Sequence, residues 1–222
     1  MDHHAESGSL EDPLARRKNG YHAASPPALL VGTSTEYLGR RPLPHLLRER
    51  PFLLILGPNG VGKTTVALKV LGSDTVTLRG DELHAACVRA VRRQRWTEEL
   101  LGAGALVIDG PTLLHRRPGA SRLLRGLIRD RTAAGLRTAV CQGEGDDSAT
   151  LLVDAVEPEL RATLTLRFPT GRGRQRFAVR MCQKLGIDRT HGRRVEVEDP
   201  WTYARVIAAL EAAGEASATF SD

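Results

Sequence analysis

The residues with the most evident chemistry are Gly57-Pro58-Asn59-Gly60-Val61-Gly62-Lys63-Thr64. Three glycines in six positions let a backbone curl with its N–H groups turned inward, which makes a nest for an anion. Thr65 follows, and Val66, Leu68, Val70 and Leu71 suit a helix stopped at Gly72. The nest therefore opens at a helix N-terminus, where the dipole adds positive potential. Lys63 brings an ammonium for terminal phosphates, and the Thr64 hydroxyl is a hard oxygen donor suited to Mg²⁺. Together these residues imply recognition of a nucleoside triphosphate such as ATP with its magnesium, over the segment Gly57–Thr65.

A second oxygen donor, Asp109, ends the apolar run Ala105–Asp109. In phosphate-binding-loop proteins an acid in that place holds Mg²⁺, usually through water. The next position is Gly110, which has no side chain. Many nucleotide-hydrolysing enzymes of this kind place a second acid there to orient the attacking water. Its absence predicts slow hydrolysis or none.

Positioning these groups requires a sheet. Pro51–Leu56 is a short continuous apolar run, as in a buried parallel strand. Thr75–Leu78, Ala105–Asp109, Leu136–Cys141 and Thr163–Phe168 are four more strand candidates. Between them lie helical patterns: one capped by Asp81 and running to about Arg93, a short one after Thr97, and one carrying Leu123, Leu124, Leu127 and Ile128. Phe177, Met181 and Leu185 mark a later helix, and Asp199-Pro200 opens a last one with Tyr203, Ile207 and Leu210 on one side. The fold class predicted is α/β: a P-loop NTPase with a five-stranded parallel sheet sandwiched by helices and a small C-terminal helical lid. The expected divisions are a disordered tail over 1–26, a nucleotide-binding domain over 27–169, the lid over 170–215 and a flexible tail over 216–222.

Composition sets outer bounds. The chain has 222 residues, 41% hydrophobic and 26% charged, which fits a folded domain rather than a disordered chain. No run of eighteen apolar residues is present, so no transmembrane helix is expected. The N-terminus lacks the apolar core of a secretory signal. Cys87, Cys141 and Cys182 are far apart and outside any CxxC spacing, which points to a reducing cytoplasm rather than a disulfide framework or zinc knuckle. His3 and His4 read as part of a tail. The formal charge is +6 and rests almost wholly on scattered arginine. That is compatible with a nucleic-acid partner, and equally with a compositional habit of the source.

Four stretches together resemble the AAA+ ATPases, in the DnaA-like branch of replication initiators and helicase loaders, over roughly residues 29–213. Leu30-Val31-Gly32-Thr33-Ser34-Thr35-Glu36 is similar to the segment that covers the adenine in that branch, which implies contacts at Val31 and Gly32. The phosphate-binding loop is the second. Leu106–Asp109, then a helix ending at Ala134-Gly135 and the strand RTAVCQ, resembles the spacing from the magnesium acid to the sensor position, here Gln142. Pro158-Glu159-Leu160-Arg161 lies where the family has an arginine finger supplied by a neighbouring subunit, with Arg161 the best match. Arg205 falls near the position of the lid arginine. The resemblance implies ATP and Mg²⁺ as ligands, a homo-oligomer, and a replication or transposition partner. The +6 charge and the arginine-rich run from Arg172 to Arg180 add DNA as an expected partner, through Arg172, Arg174 and Arg176.

Two other readings stay open. Arg79-Gly80-Asp81 resembles the Gly-Asp turn of small P-loop kinases, where such an acid faces the acceptor hydroxyl, and the arginines at 172–180 would then be a kinase lid. Gly110 also suits a nucleotide-sensing adaptor that does not hydrolyse. Strand order separates the first from the AAA+ reading. A strand from 136–141 lying between the loop strand and the Asp109 strand means AAA+; direct adjacency of those two means kinase.

Overall fold

The computed structural model describes residues 28–33, 47, 49–111, 117–143, 152–194 and 202–218. The expected N-terminal tail and the Asp199-Pro200 helix start lie outside them. The chain runs through β1 (Ala28–Thr33), β2 (Phe52–Leu56), α1 (Lys63–Leu71), β3 (Thr75–Arg79), α2 (Gly80–Arg93), α3 (Glu98–Gly102) and β4 (Ala105–Asp109). It continues through α4 (Pro118–Ala133), β5 (Arg137–Gln142), β6 (Arg161–Arg167), α5 (Arg172–Leu185), α6 (Arg189–Arg194) and α7 (Tyr203–Ala218).

All five expected strands form, and β1 joins them as a sixth, in the order β1-β6-β2-β5-β4-β3. Every neighbouring pair is parallel. Strand β5 lies between β2 and β4, the arrangement expected of an AAA+ domain and not of a small kinase. Side chains alternate across the pleat. Phe52 and Leu54 of β2 point with Leu106, Ile108 and Val140 into a core closed by α2 and α4. Leu53 and Ile55 point the other way, with Val107, Ala139 and Leu164, into a core closed by Val66, Ala67 and Val70 of α1. Both faces of β2 are thus covered, which is why its sequence is unbroken in apolar residues.

The C-terminal helices form a separate cluster: Ala178 and Cys182 of α5 pack on Val206 and Leu210 of α7, with Phe177, Met181 and Tyr203 at its margin. Three expected details differ. The buried stripe of α7 runs through Val206 and Leu210 while Ile207 is only half-buried, and Leu185 is exposed, because α5 turns just one face to α7. Helix α6 was not expected, and α7 continues to Ala218. Asp81 is not a cap: Arg79 is the N-cap of α2, and Asp81 sits in its first turn, where its charge faces the dipole without a capping bond. No helix among the described residues is long and apolar enough to cross a membrane.

Candidate nucleotide site

Because all six strands are parallel, their C-terminal ends share one edge of the sheet. That edge is where ligands bind in open α/β sheets. It receives the loop after β2, Asp109 from β4, Gln142 from β5, Arg167 from β6 and Thr33 from β1.

The loop has the backbone its glycines anticipated: φ is 151° at Gly57, 77° at Gly60 and 87° at Gly62. Gly62 is the N-cap of α1, and Val66 N–H donates to its carbonyl at 3.0 Å. The Gly57 N–H donates to the Gln142 carbonyl at 3.2 Å, tying the loop to the end of β5. Lys63 is buried, and its Nζ donates to the carbonyls of Gly57 at 2.8 Å and Pro58 at 2.9 Å. Those two bonds hold the ammonium inside the curl of the loop. Val61 is buried under it, while Asn59 and Gly60 at its tip and Thr65 on α1 are exposed.

Gly57 is constrained from the other side too. A Cβ there would stand 2.5 Å from the Leu166 carbonyl oxygen of β6. Close packing and a φ unsuited to L residues act together. Gly57→Ala is expected to lower stability by about 2–3 kcal/mol. A thermal melt should show this as a fall of roughly 4–12 °C, with nucleotide binding lost as the loop shifts.

The Thr64 hydroxyl donates to Asp109 Oδ2 at 2.7 Å, across 45 residues of sequence. A hydroxyl and a carboxylate side by side are hard oxygen donors in the small number that Mg²⁺ takes from protein while keeping water and phosphate ligands. The pair fits magnesium. No group of three or more His, Cys, Asp or Glu suited to a metal occurs among the described residues. When bound, Mg²⁺ would neutralise phosphate charge; Thr64 and Asp109 would hold it and Lys63 and the loop amides would hold the phosphates.

Gln142 is fully buried, opposite Leu56 in the β2–β5 register and next in sequence to Cys141, which faces Asp109. Burial, reinforced by the Asp109 carboxylate, pushes the Cys141 thiol far up and so favours its protonated form. Gly110 has φ 65°, and its N–H donates to the Cys141 carbonyl at 2.9 Å. It lines a mostly apolar cavity of about 310 Å³ between α2 and the start of α4, with Leu83, Cys87 and Arg117. Among the described residues that line it there is no carboxylate. Asp81 is exposed on α2.

The start of α7 comes close to the loop beside Gly60. A Cβ on Gly60 would stand 3.0 Å from the Thr202 side chain, and Thr202 Oγ1 accepts from the Arg205 N–H at 3.2 Å. The first turn of α7, with Arg205 exposed, therefore stands over the tip of the loop. Tyr203 beside Thr202 packs on Phe177 of α5 at 4.4 Å between ring centres. Val31 and Gly32 lie on edge strand β1, in register with Thr165 and Leu166 of β6, at the same edge of the sheet as the loop.

Arg161 is elsewhere. It opens β6, so it stands at the opposite edge, about 20 Å along the strand from the site. Its Nη1 donates to the Val153 carbonyl at 3.2 Å. The sheet separates it from the nucleotide site of its own chain.

No protein-family model matches the sequence, and no curated protein matches it. Solved structures do match. Domain III of the Thermotoga maritima replication initiation protein DnaA superposes with a TM-score of 0.63 at 16% identity, covering 83% of this chain and 84% of that one. AMPPCP-bound DnaA from Aquifex aeolicus gives 0.57 at 12% identity, covering 84% and 64%. A DnaA bound to AMPPCP and single-stranded DNA gives 0.55 at 12% identity, covering 69% and 51%. Strand order and superposition agree: this chain has the fold of a DnaA-like AAA+ P-loop domain.

Proposed function

We propose that the protein is an ATP-Mg²⁺-dependent switch of the AAA+ type, slow in hydrolysis, that acts in the cytoplasm on a DNA replication or transposition partner. The observation that carries this reading is the convergence of Lys63, Thr64 and Asp109 at one end of a sheet whose β5 separates the loop strand from the Asp109 strand. The adenine would lie by Val31 and Gly32, and Arg205 would follow the phosphates from the lid. Gln142 would sense them from β5, and Arg161 would serve a neighbouring subunit, since it faces away from its own site. The matched DnaA structures, one with an ATP analogue and one with an analogue and single-stranded DNA, support nucleotide and DNA as ligand classes.

Gly110 favours a switch over a fast enzyme. Turnover is expected well below the usual range of about 1–10³ s⁻¹. Gly110→Glu is expected to raise it, although a side chain at φ 65° costs of order 1 kcal/mol in stability. Gly110→Asn, which tolerates that backbone but supplies no base, is the matched control and should not raise it. Phosphate release measured on the three proteins decides the matter. Brisk turnover by the unaltered chain, indifferent to position 110, would remove the switch reading.

A further inference from the structure

We infer that the exposed side of α5 is a track for the phosphodiester backbone of nucleic acid. Arg172, Arg176, Arg180 and Lys184 recur every fourth residue along it, and all four are exposed. At 1.5 Å per residue they stand about 6 Å apart and span about 18 Å, drifting slowly round the helix. No described carboxylate forms an ion pair with any of them.

Arginine-rich composition does not account for this. Between Leu160 and Ile187 there are seven cations and no acid, in a chain that carries 26 acids in 222 residues. A solvated helix face normally interleaves both signs; this one is cationic throughout. The surface on each side is hollow. One hollow of about 580 Å³ is bounded by Arg172, Arg176 and Arg180 with Thr33 at the end of β1. Another of about 320 Å³ lies between Arg176, Arg180 and Arg193, with the amides of Gln175 and Gln183 beside it. Arg176 and Arg180 are common to both, so one basic surface runs from β1 across α5 to α6.

Arg174 is not part of the track. Its Nε donates to the Pro169 carbonyl at 2.9 Å and it is half-buried, so of the arginines expected to touch DNA it serves the loop instead. A membrane is a poor match for the surface: the apolar face of α5, Ala178 and Cys182, is already buried against α7. An acidic protein is a poorer match than nucleic acid, because protein interfaces centre on apolar anchors and α5 exposes just Leu185 among its large apolar side chains.

The inference rests on α5 and not on the nucleotide reading. Its test is the anisotropy of labelled oligothymidine and of a labelled duplex of mixed sequence, across a potassium chloride titration. The chain should bind without sequence preference, with log affinity falling linearly in log salt. R172A/R176A/R180A should flatten the duplex slope by roughly two to three units, at about 0.9 per phosphate contact. Alanine favours helix, so the triple variant should keep its melting temperature. R122A/R125A/R129A removes as much charge from exposed positions of α4 and should leave most of the slope intact. Absence of oligonucleotide binding, an unchanged slope in the α5 variant, or an equal loss in the α4 variant overturns the inference. So does binding of phosphatidylglycerol vesicles or polyglutamate, sensitive to the α5 triple, by a chain that ignores oligonucleotides.

Discussion

Lys63→Ala is expected to abolish measurable ATP-Mg²⁺ binding in a calorimetric titration. An ammonium contributes about 1.5–3 kcal/mol per charge-assisted bond. Two such bonds to phosphate oxygens amount to a loss of a hundredfold or more. Lys63 also donates to the Gly57 and Pro58 carbonyls, so its removal loosens the curl of the loop itself. The variant should still fold, because the core beneath α1 is made by Val66, Ala67, Val70 and Leu71. Equal affinity in variant and parent would sink the assignment of the loop.

The second large effect concerns stability and lies at the other end of the sheet. Arg131 of α4 is 1% exposed. Its Nη1 donates to the carbonyls of Leu100 at 2.7 Å and Leu101 at 3.3 Å, at the C-terminal turn of α3. Its Nη2 donates to the Arg137 carbonyl and its Nε to Thr138 Oγ1, each at 3.0 Å. Burial pushes the guanidinium down to about 10, still ionised at neutral pH. The helix-end carbonyls have no partner within their own helix. Removing the fork strands several buried acceptors at once, so Arg131→Ala should cost about 3–5 kcal/mol. That corresponds to roughly 6–20 °C in melting temperature for a domain of this size. Arg131→Lys should recover little of it, since one ammonium cannot serve acceptors placed for a planar fork. ATP affinity measured well below the transition should be unchanged, because Arg131 stands at the edge of the sheet away from Lys63.

Much of this architecture is legible in the residues. The loop glycines, the apolar runs of β2 and β4, and the pairing of Thr64 with Asp109 follow from motif spacing and a period of two. What the sequence obscured has physical causes. Strand β1 is missing from the five expected strands although Ala28-Leu29-Leu30-Val31 is apolar, because a run of four is too short for periodicity to separate a strand from a buried helical turn. Arg131 sits between Asp130 and Thr132 and looks solvated, yet it falls seven residues after Leu124 and three after Ile128. That is the buried stripe of α4, and the stripe was the signal for it. The closure of Gly57 against the Leu166 carbonyl depends on β6 lying beside β2, a pairing across more than a hundred residues that no local pattern encodes. Arg174 and Arg176 are neighbours in a charge run, but a helix turns them to different sides, and one of them inward.

Thr202 stands 3.0 Å from where a Cβ on Gly60 would be, which bears on how the chain responds to its ligands. A loop that widens around a phosphate would press on Thr202. Tyr203 is bonded to it in sequence and meets Phe177 edge-on at 4.4 Å between ring centres, so a path of neighbouring residues runs from the loop tip to α5. Thermodynamic reciprocity then applies: whatever factor nucleotide imposes on polyanion affinity at α5, polyanion imposes on nucleotide affinity at the loop. Thr202→Ser removes the methyl that would stand 3.0 Å from a Gly60 Cβ, and should weaken any such coupling between the two surfaces.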